Sequence, residues 1–362
     1  AGSAEPLLQV SRRDNLIETD IQNRWGLSPP VFCGTIMKIL PAGETMEKER
    51  VEYIDLYRGL AIILMVMGHV GFGEIFSHYI HAFHMPMWFF ISGYFFRDKG
   101  YSYGTYLKIR GKKLLIPYVF FALVHYAVAV LFVDRSQGIF HTDFLKAFFL
   151  SNHTNVPISG VFWFITCLLI VEILFLYLKR TVRSERSLFL VVLVLSLLGM
   201  LYCRISPIRM IWTADTALVS LLLYYAGYAA RNHAKLNRWY HQILRMKPWK
   251  TAIALFVNFA LIVLTPYINL RTATYSNPVF FYGNAVVAIL ICLNICFRLS
   301  GLQNPFVNRV KNWLAYVGKE SVVYLYLNQM VIILFYIFSM FIPLPGLVRS
   351  ILILIVSMWM LT

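Results

Sequence analysis

Long apolar runs alternate with short polar stretches along most of the chain. Ten runs stand out, at 54–73, 79–96, 114–133, 161–178, 188–203, 214–230, 251–268, 279–297, 321–342 and 347–362. Most approach the ~20 residues a helix needs to cross a hydrocarbon core. None shows the strict alternation of a membrane strand. The pattern predicts an all-α, polytopic helical membrane protein with about ten transmembrane helices, the fifth and tenth short. The tenth run ends the chain at "VSMWMLT", which predicts a truncated C-terminus. Residues 1–45 stand apart. They are polar, carry Pro29, Pro30 and Pro41 and contain no signal-peptide core, whereas Met46 opens "MEKERVEYID" like a natural start. They are expected to be a disordered or non-native segment preceding a membrane domain at 46–362.

Composition agrees with this class. The chain is 59% hydrophobic and 14% charged, where soluble domains run to roughly half and a quarter. Its net charge of +16 sits in loops. Those after runs two, four, six and eight hold at least four Lys or Arg each, and those after odd runs at most two. That alternation places the N-terminus in the cytoplasm and argues against nucleic acid as the partner. The long outer loop, 134–160, is rich in His, Asn and Ser. It suits either an outer substrate site or a plain connector. The five cysteines are scattered, and no Cys–His spacing suggests a metal.

Polar residues inside the runs carry the chemistry. In "YRGLAIILMVMGHV", Arg58 and His69 are eleven residues apart. That is about 16 Å of helix and three turns, so both share one face. Asp55 lies on the same stripe, spaced to pair with Arg58. An intramembrane charge is costly and marks a functional interior unless it snorkels to the interface. In the second run, "YIHAFHMPMWFFISGYFF", His81 and His84 share a face, and Pro86 is expected to kink or break the helix. Antiparallel pairing brings His69, His81 and His84 to similar depth. No acidic or cysteine ligand joins them at fixed spacing, so no metal is expected. In "RGKKLLIPY", Arg110, Lys112 and Lys113 stand at the cytoplasmic mouth of the third run. They are either positive-inside anchors or, with Arg58, a cationic mouth suited to phosphates.

Together these motifs resemble the acyltransferase 3 family of integral-membrane O-acyltransferases. The Arg58/ten residues/His69 element, "FHMPMWFFISGYFF", "KKLLIPY", "GVFWFI", "ADTALVSLLLYYAGY" and "VGKESVVYLYLNQ" occur in the family's order. The "FHMP" wording is most similar to the fucose 4-O-acetylase-like branch. Where that last segment often ends in His, this chain has Asn328, which can only orient or hydrogen-bond. The resemblance implies transfer of an acyl group, usually acetyl, from cytoplasmic acetyl-CoA to a carbohydrate hydroxyl, in the plasma membrane of a bacterium. Acetyl-CoA is then a co-substrate and no resident cofactor is expected. Arg58, Arg110, Lys112 and Lys113 would hold its phosphates. His69 would act as general base or brief acyl carrier, and His84 or Ser92 would orient it or stabilise an oxyanion. Trp163, Glu172, Asp215 and Asn328 are the candidate acceptor-side residues. The competing class is a transporter or flippase for a polysaccharide or lipid-linked sugar.

Overall fold

The computed structural model describes residues 52–132, 160–275, 277–339 and 344–362. Apart from a single bridge between Asn269 and Thr274, these are helix, turn and loop. The order is α1 (Glu52–Val70), α2 (Glu74–His81), α3 (His84–Tyr94), α4 (Tyr103–Phe132), α5 (Phe162–Thr181), α6 (Glu185–Ile205), a 3-10 turn (Ile211–Thr213), α7 (Ala214–Asn232), α8 (Ala234–Leu244), α9 (Pro248–Leu264), α10 (Pro278–Ser300), α11 (Pro305–Lys319), α12 (Ser321–Ser339) and α13 (Gly346–Leu361). Local chemistry sets several starts. The two Asn-Pro pairs open α10 and α11 alike. Asn277 and Asn304 each accept a backbone N–H from the first turn, and the proline fills a position whose N–H has no helical partner.

Every predicted run falls on a helix, but the span count differs. Among the described residues six helices (α1, α4, α5, α6, α10 and α12) are long and apolar enough to cross a membrane, or seven if α8 and α9, bent by 103°, form one span. Three features separate this from the expected ten. The second run is two short helices. α7 carries Asp215, Arg231 and Asn232 in its 19 residues. α13 has only 16 residues. Two of the cation-rich loops also contain amphipathic helices, α8 and α11, which periodicity in the apolar runs alone does not reveal.

Pro86 does not kink a continuous helix. The break lies just before it, at Ala82 and Phe83, and Pro86 occupies the first turn of α3, where a missing N–H costs nothing.

Two glycine crossings bring the site elements together. At one, α3 meets α7: a Cβ on Gly93 would collide with the Tyr224 carbonyl, and one on Gly227 with that of Phe90. At the other, α1 meets α11: Gly59 abuts the Leu314 carbonyl and Gly318 that of Asp55. Backbone contact of this kind replaces the hydrophobic drive that helices lack in lipid. Around the first crossing, Phe175, Tyr224 and Tyr228 pack with Phe96 in mutual edge contacts. Around the second, Tyr53, Leu56, Tyr57 and Ala61 pack with Ile289, Leu293 and Leu314.

Candidate active site

α1 spans the site from end to end. Arg58 lies in its second turn and His69 in its last, about 16 Å apart along the axis. Asp55, buried one turn before Arg58, has its carboxylate 3.7 Å from the guanidinium, as the i,i+3 spacing requires.

At the His69 end, the break between α2 and α3 sets His81 and His84 edge to face, with ring centroids 5.1 Å apart. Gly68, one residue before His69, packs beside the His81 ring: a Cβ there would lie 3.8 Å from His81 Cε1, in ordinary contact. The three imidazoles lie within electrostatic reach of one another. His81 Nδ1 is 2.7 Å from the Ser77 carbonyl and His84 Nδ1 2.8 Å from that of Ile80. A carbonyl only accepts, so in the neutral rings each Nδ1 carries the proton and each Nε2 keeps the lone pair. Among the described residues, no group of three or more His, Cys, Asp or Glu is arranged to hold a metal ion.

His69 has a partner that sequence reasoning missed. The Gln329 side-chain nitrogen sits 3.0 Å from His69 Nδ1 and 3.4 Å from Nε2, across one edge of the ring. The Gln329 oxygen accepts the backbone N–H of Gly160. A backbone donor demands the oxygen, so the amide nitrogen faces the imidazole. The Arg271 guanidinium packs against Gly160, where a Cβ would push it aside, and its charge reaches His69. Burial pushes the Arg271 guanidinium down from its ordinary value. Beside the histidines opens a cavity of about 560 Å³ lined by Gly71, Gly73, Glu74, Ser77, His78 and Tyr267. Tyr267 contacts both His78 and His81. His78 Nε2 is buried and has no hydrogen-bond partner among the described residues.

At the other end, Arg58 lies over the Phe95 ring, 5.2 Å from its centroid. Ser92 belongs with this end. It is eight residues past His84 on α3, about 12 Å along the axis, so the structure does not join it to the histidines.

The remaining expected residues sit elsewhere. Arg110 makes a two-pronged ion pair with Glu172, joining α4 to α5. Lys112 and Lys113 are exposed on α4, which packs chiefly on α5 and has at most marginal contact with α1. Trp163 is 3% exposed, and its carbonyl accepts from the Thr213 hydroxyl at 3.1 Å. Trp212 and Thr213 both adopt positive φ there, a strained pair held by that bond. Asp215 is fully buried. Its carboxylate is 3.0 Å from Arg209 Nε and accepts the N–H groups of Met210 and Thr216. Asn328 donates back to the Tyr324 and Leu325 carbonyls on its own helix. Its neighbour Gln329 makes the contact to His69. Of the outer loop at 134–160, all but Gly160 lies outside the described residues.

A family model described as an acyltransferase domain matches residues 51–362. A search of curated proteins returns no match.

Proposed function

The chain belongs to the acyltransferase 3 family, and from that premise we propose that this membrane acyltransferase moves an acetyl group from cytoplasmic acetyl-CoA to a carbohydrate hydroxyl. The observation that carries the reading is the polar line through an apolar bundle. The Arg58 guanidinium and the His69 imidazole share one face of α1, about 16 Å apart, a distance that an extended pantetheine arm covers. The phosphates stay at the Arg58 end and the thioester reaches His69. The acceptor enters through the cavity beside the histidines, where Tyr267 offers a sugar-stacking face and Glu74 and His78 offer hydrogen-bonding groups.

The step balances with no further reagent. The acceptor oxygen attacks the thioester carbonyl while the His69 imidazole takes the hydroxyl proton. The C–S bond breaks as the C–O ester bond forms, and the imidazolium returns its proton to the departing thiolate. In the neutral ring the Gln329 N–H, held in place through Gly160, occupies the imidazole lone pair, and His69 acts as base when the acceptor hydroxyl takes that donor's place, with His84 beside it. His69 as general base is preferred to an acyl carrier because direct attack of the acceptor on the thioester needs no second transfer; the cavity reaches the histidine cluster through Tyr267, which contacts His81.

Full-length protein in detergent, given acetyl-CoA and a cell-envelope glycan fraction, should release free thiol and yield glycan heavier by one acetyl group. His69→Ala should lower that turnover by about 10²–10⁴-fold with unchanged membrane levels. Retained turnover would refute the role of His69. Wild-type protein that releases no thiol would favour the transporter class instead.

A further inference from the structure

Arg231 was grouped by sequence with the loop cations after the sixth run, yet the structure delivers it to the donor end of the site. It sits in the last turn of α7. Gly227, one turn earlier, is where α7 touches α3, and Gly93 of the same crossing lies two residues before Phe95. The close approach therefore carries Arg231 to the C-terminal end of α3. Its guanidinium carbon is 5.4 Å from the Tyr94 ring centroid and 5.7 Å from that of Phe95, and its Nη1 donates to the Tyr94 carbonyl at 3.2 Å. Arg58 approaches the same Phe95 ring at 5.2 Å. Two guanidiniums from different helices thus share one phenyl ring, and that ring is 40% exposed.

Arg231 adds a second guanidinium to this end of the site. Asp55 is the acidic side chain paired with Arg58. Among the described residues Arg231 forms no ion pair, and its polar partner is a carbonyl. Tyr94, in edge contact with Phe95, joins the ring to a tyrosine cluster. The Tyr53 and Tyr240 hydroxyls are 3.2 Å apart, and Tyr94 packs on Tyr240 at 5.4 Å. Like charges held together lower their energy by sharing an anion. Guanidinium forks suit phosphate oxygens, and an exposed aromatic beside them suits a purine face.

We propose that Arg58, Arg231 and Phe95 form the seat for the nucleotide end of the acyl donor, with the two guanidiniums on its phosphates and the Phe95 ring against its adenine. This rests on the acyl-CoA reading above and extends it to a helix that the stripe on α1 does not include.

Binding to the full-length protein in detergent tests the seat without any acceptor. The probes are CoA, 4′-phosphopantetheine and S-acetylpantetheine, and each variant's melting temperature is recorded beside its affinity. Wild-type protein should bind CoA far more tightly than S-acetylpantetheine. Arg231→Ala should weaken CoA tenfold or more, as expected for loss of one charge-assisted phosphate contact, and leave S-acetylpantetheine unchanged. Arg231→Lys keeps the charge without the fork and should fall between, which preserves the test if the alanine variant fails to fold. Phe95→Leu should weaken CoA but not 4′-phosphopantetheine. Unchanged CoA affinity in folded Arg231→Ala and Arg231→Lys, or equal losses for CoA and S-acetylpantetheine, would overturn the seat and leave the acyl-CoA reading standing. Wild-type protein that does not bind CoA would overturn both.

Discussion

Arg110 and Glu172 fall in separate functional groups by sequence, but the structure makes them one buried pair. Arg110 Nε donates to Glu172 Oε2 at 2.6 Å and its Nη2 to Oε1. The Glu172 side chain is 3% exposed and that of Arg110 26%. α4 packs chiefly on α5, and this pair is a polar anchor between the two helices. Removing one partner of a buried pair costs about 3–5 kcal/mol, since the other charge is left desolvated. Glu172→Gln strands the more exposed partner, whose charge water partly screens, so the expected loss is near ~3 kcal/mol. Arg110→Met strands the more buried one, and the expected loss is near ~5 kcal/mol. Replacing both with Met removes both desolvation costs and should return stability to within about 1 kcal/mol of wild type. Unfolding in detergent followed by helical circular dichroism gives the full double-mutant cycle. CoA affinity should be unchanged in the folded double variant. Glu172→Gln as stable as wild type would refute the anchoring argument, and a folded double variant that no longer binds CoA would restore Arg110 to the donor site.

Gly227→Ala forces a methyl group into the Phe90 carbonyl. It should cost about 1–3 kcal/mol and also weaken CoA by shifting Arg231. Gly283→Ala on α10, with open space around it, is the matched control; equal melting temperatures for the two variants would refute the crossing. In the loop between α3 and α4, hydrogen bonds from Arg180 hold the Asp98 carboxyl below its ordinary value. Its contribution to stability is therefore complete above the usual carboxylate pKa and is lost as pH falls through the lowered one. Asp98→Asn should remove that part of the acid-side fall in melting temperature, and superimposable wild-type and variant profiles would show that the pair contributes nothing.

What was legible in the chain is what helix geometry makes local. Arg58 and His69 share a face because eleven residues make three turns, and Asp55 pairs with Arg58 because one turn separates them. The convergence of His69, His81 and His84 follows from antiparallel pairing of adjacent segments. Contacts between distant segments were not legible. Gln329 reaches His69 across 260 residues, and nothing in "YLYLNQ" distinguishes it from Asn328, whose side chain turns back to its own helix. Arg271 carried a faint signal as the lone cation of its loop. The pairing of Arg110 with Glu172 was not legible because a cation in a basic run looks alike whether it meets a phosphate or a carboxylate.

The motif glycines connect these two kinds of information. An arginine and a histidine on one stripe exist on α1 by itself, but a stripe is not a site until other helices approach it. Gly59 and Gly318 admit α11 against α1 near Arg58, and α12, which carries Gln329 to His69, follows α11 after Glu320. Gly93 and Gly227 admit α7 against α3, bringing Arg231 to Phe95 and so to Arg58. One crossing thus lies on the path to the histidine end and the other at the arginine end. A larger residue at either would leave the Arg58–His69 spacing on α1 intact while removing the groups that act with it. Loss of function on enlarging these glycines therefore does not require any change in the helix that bears the two residues.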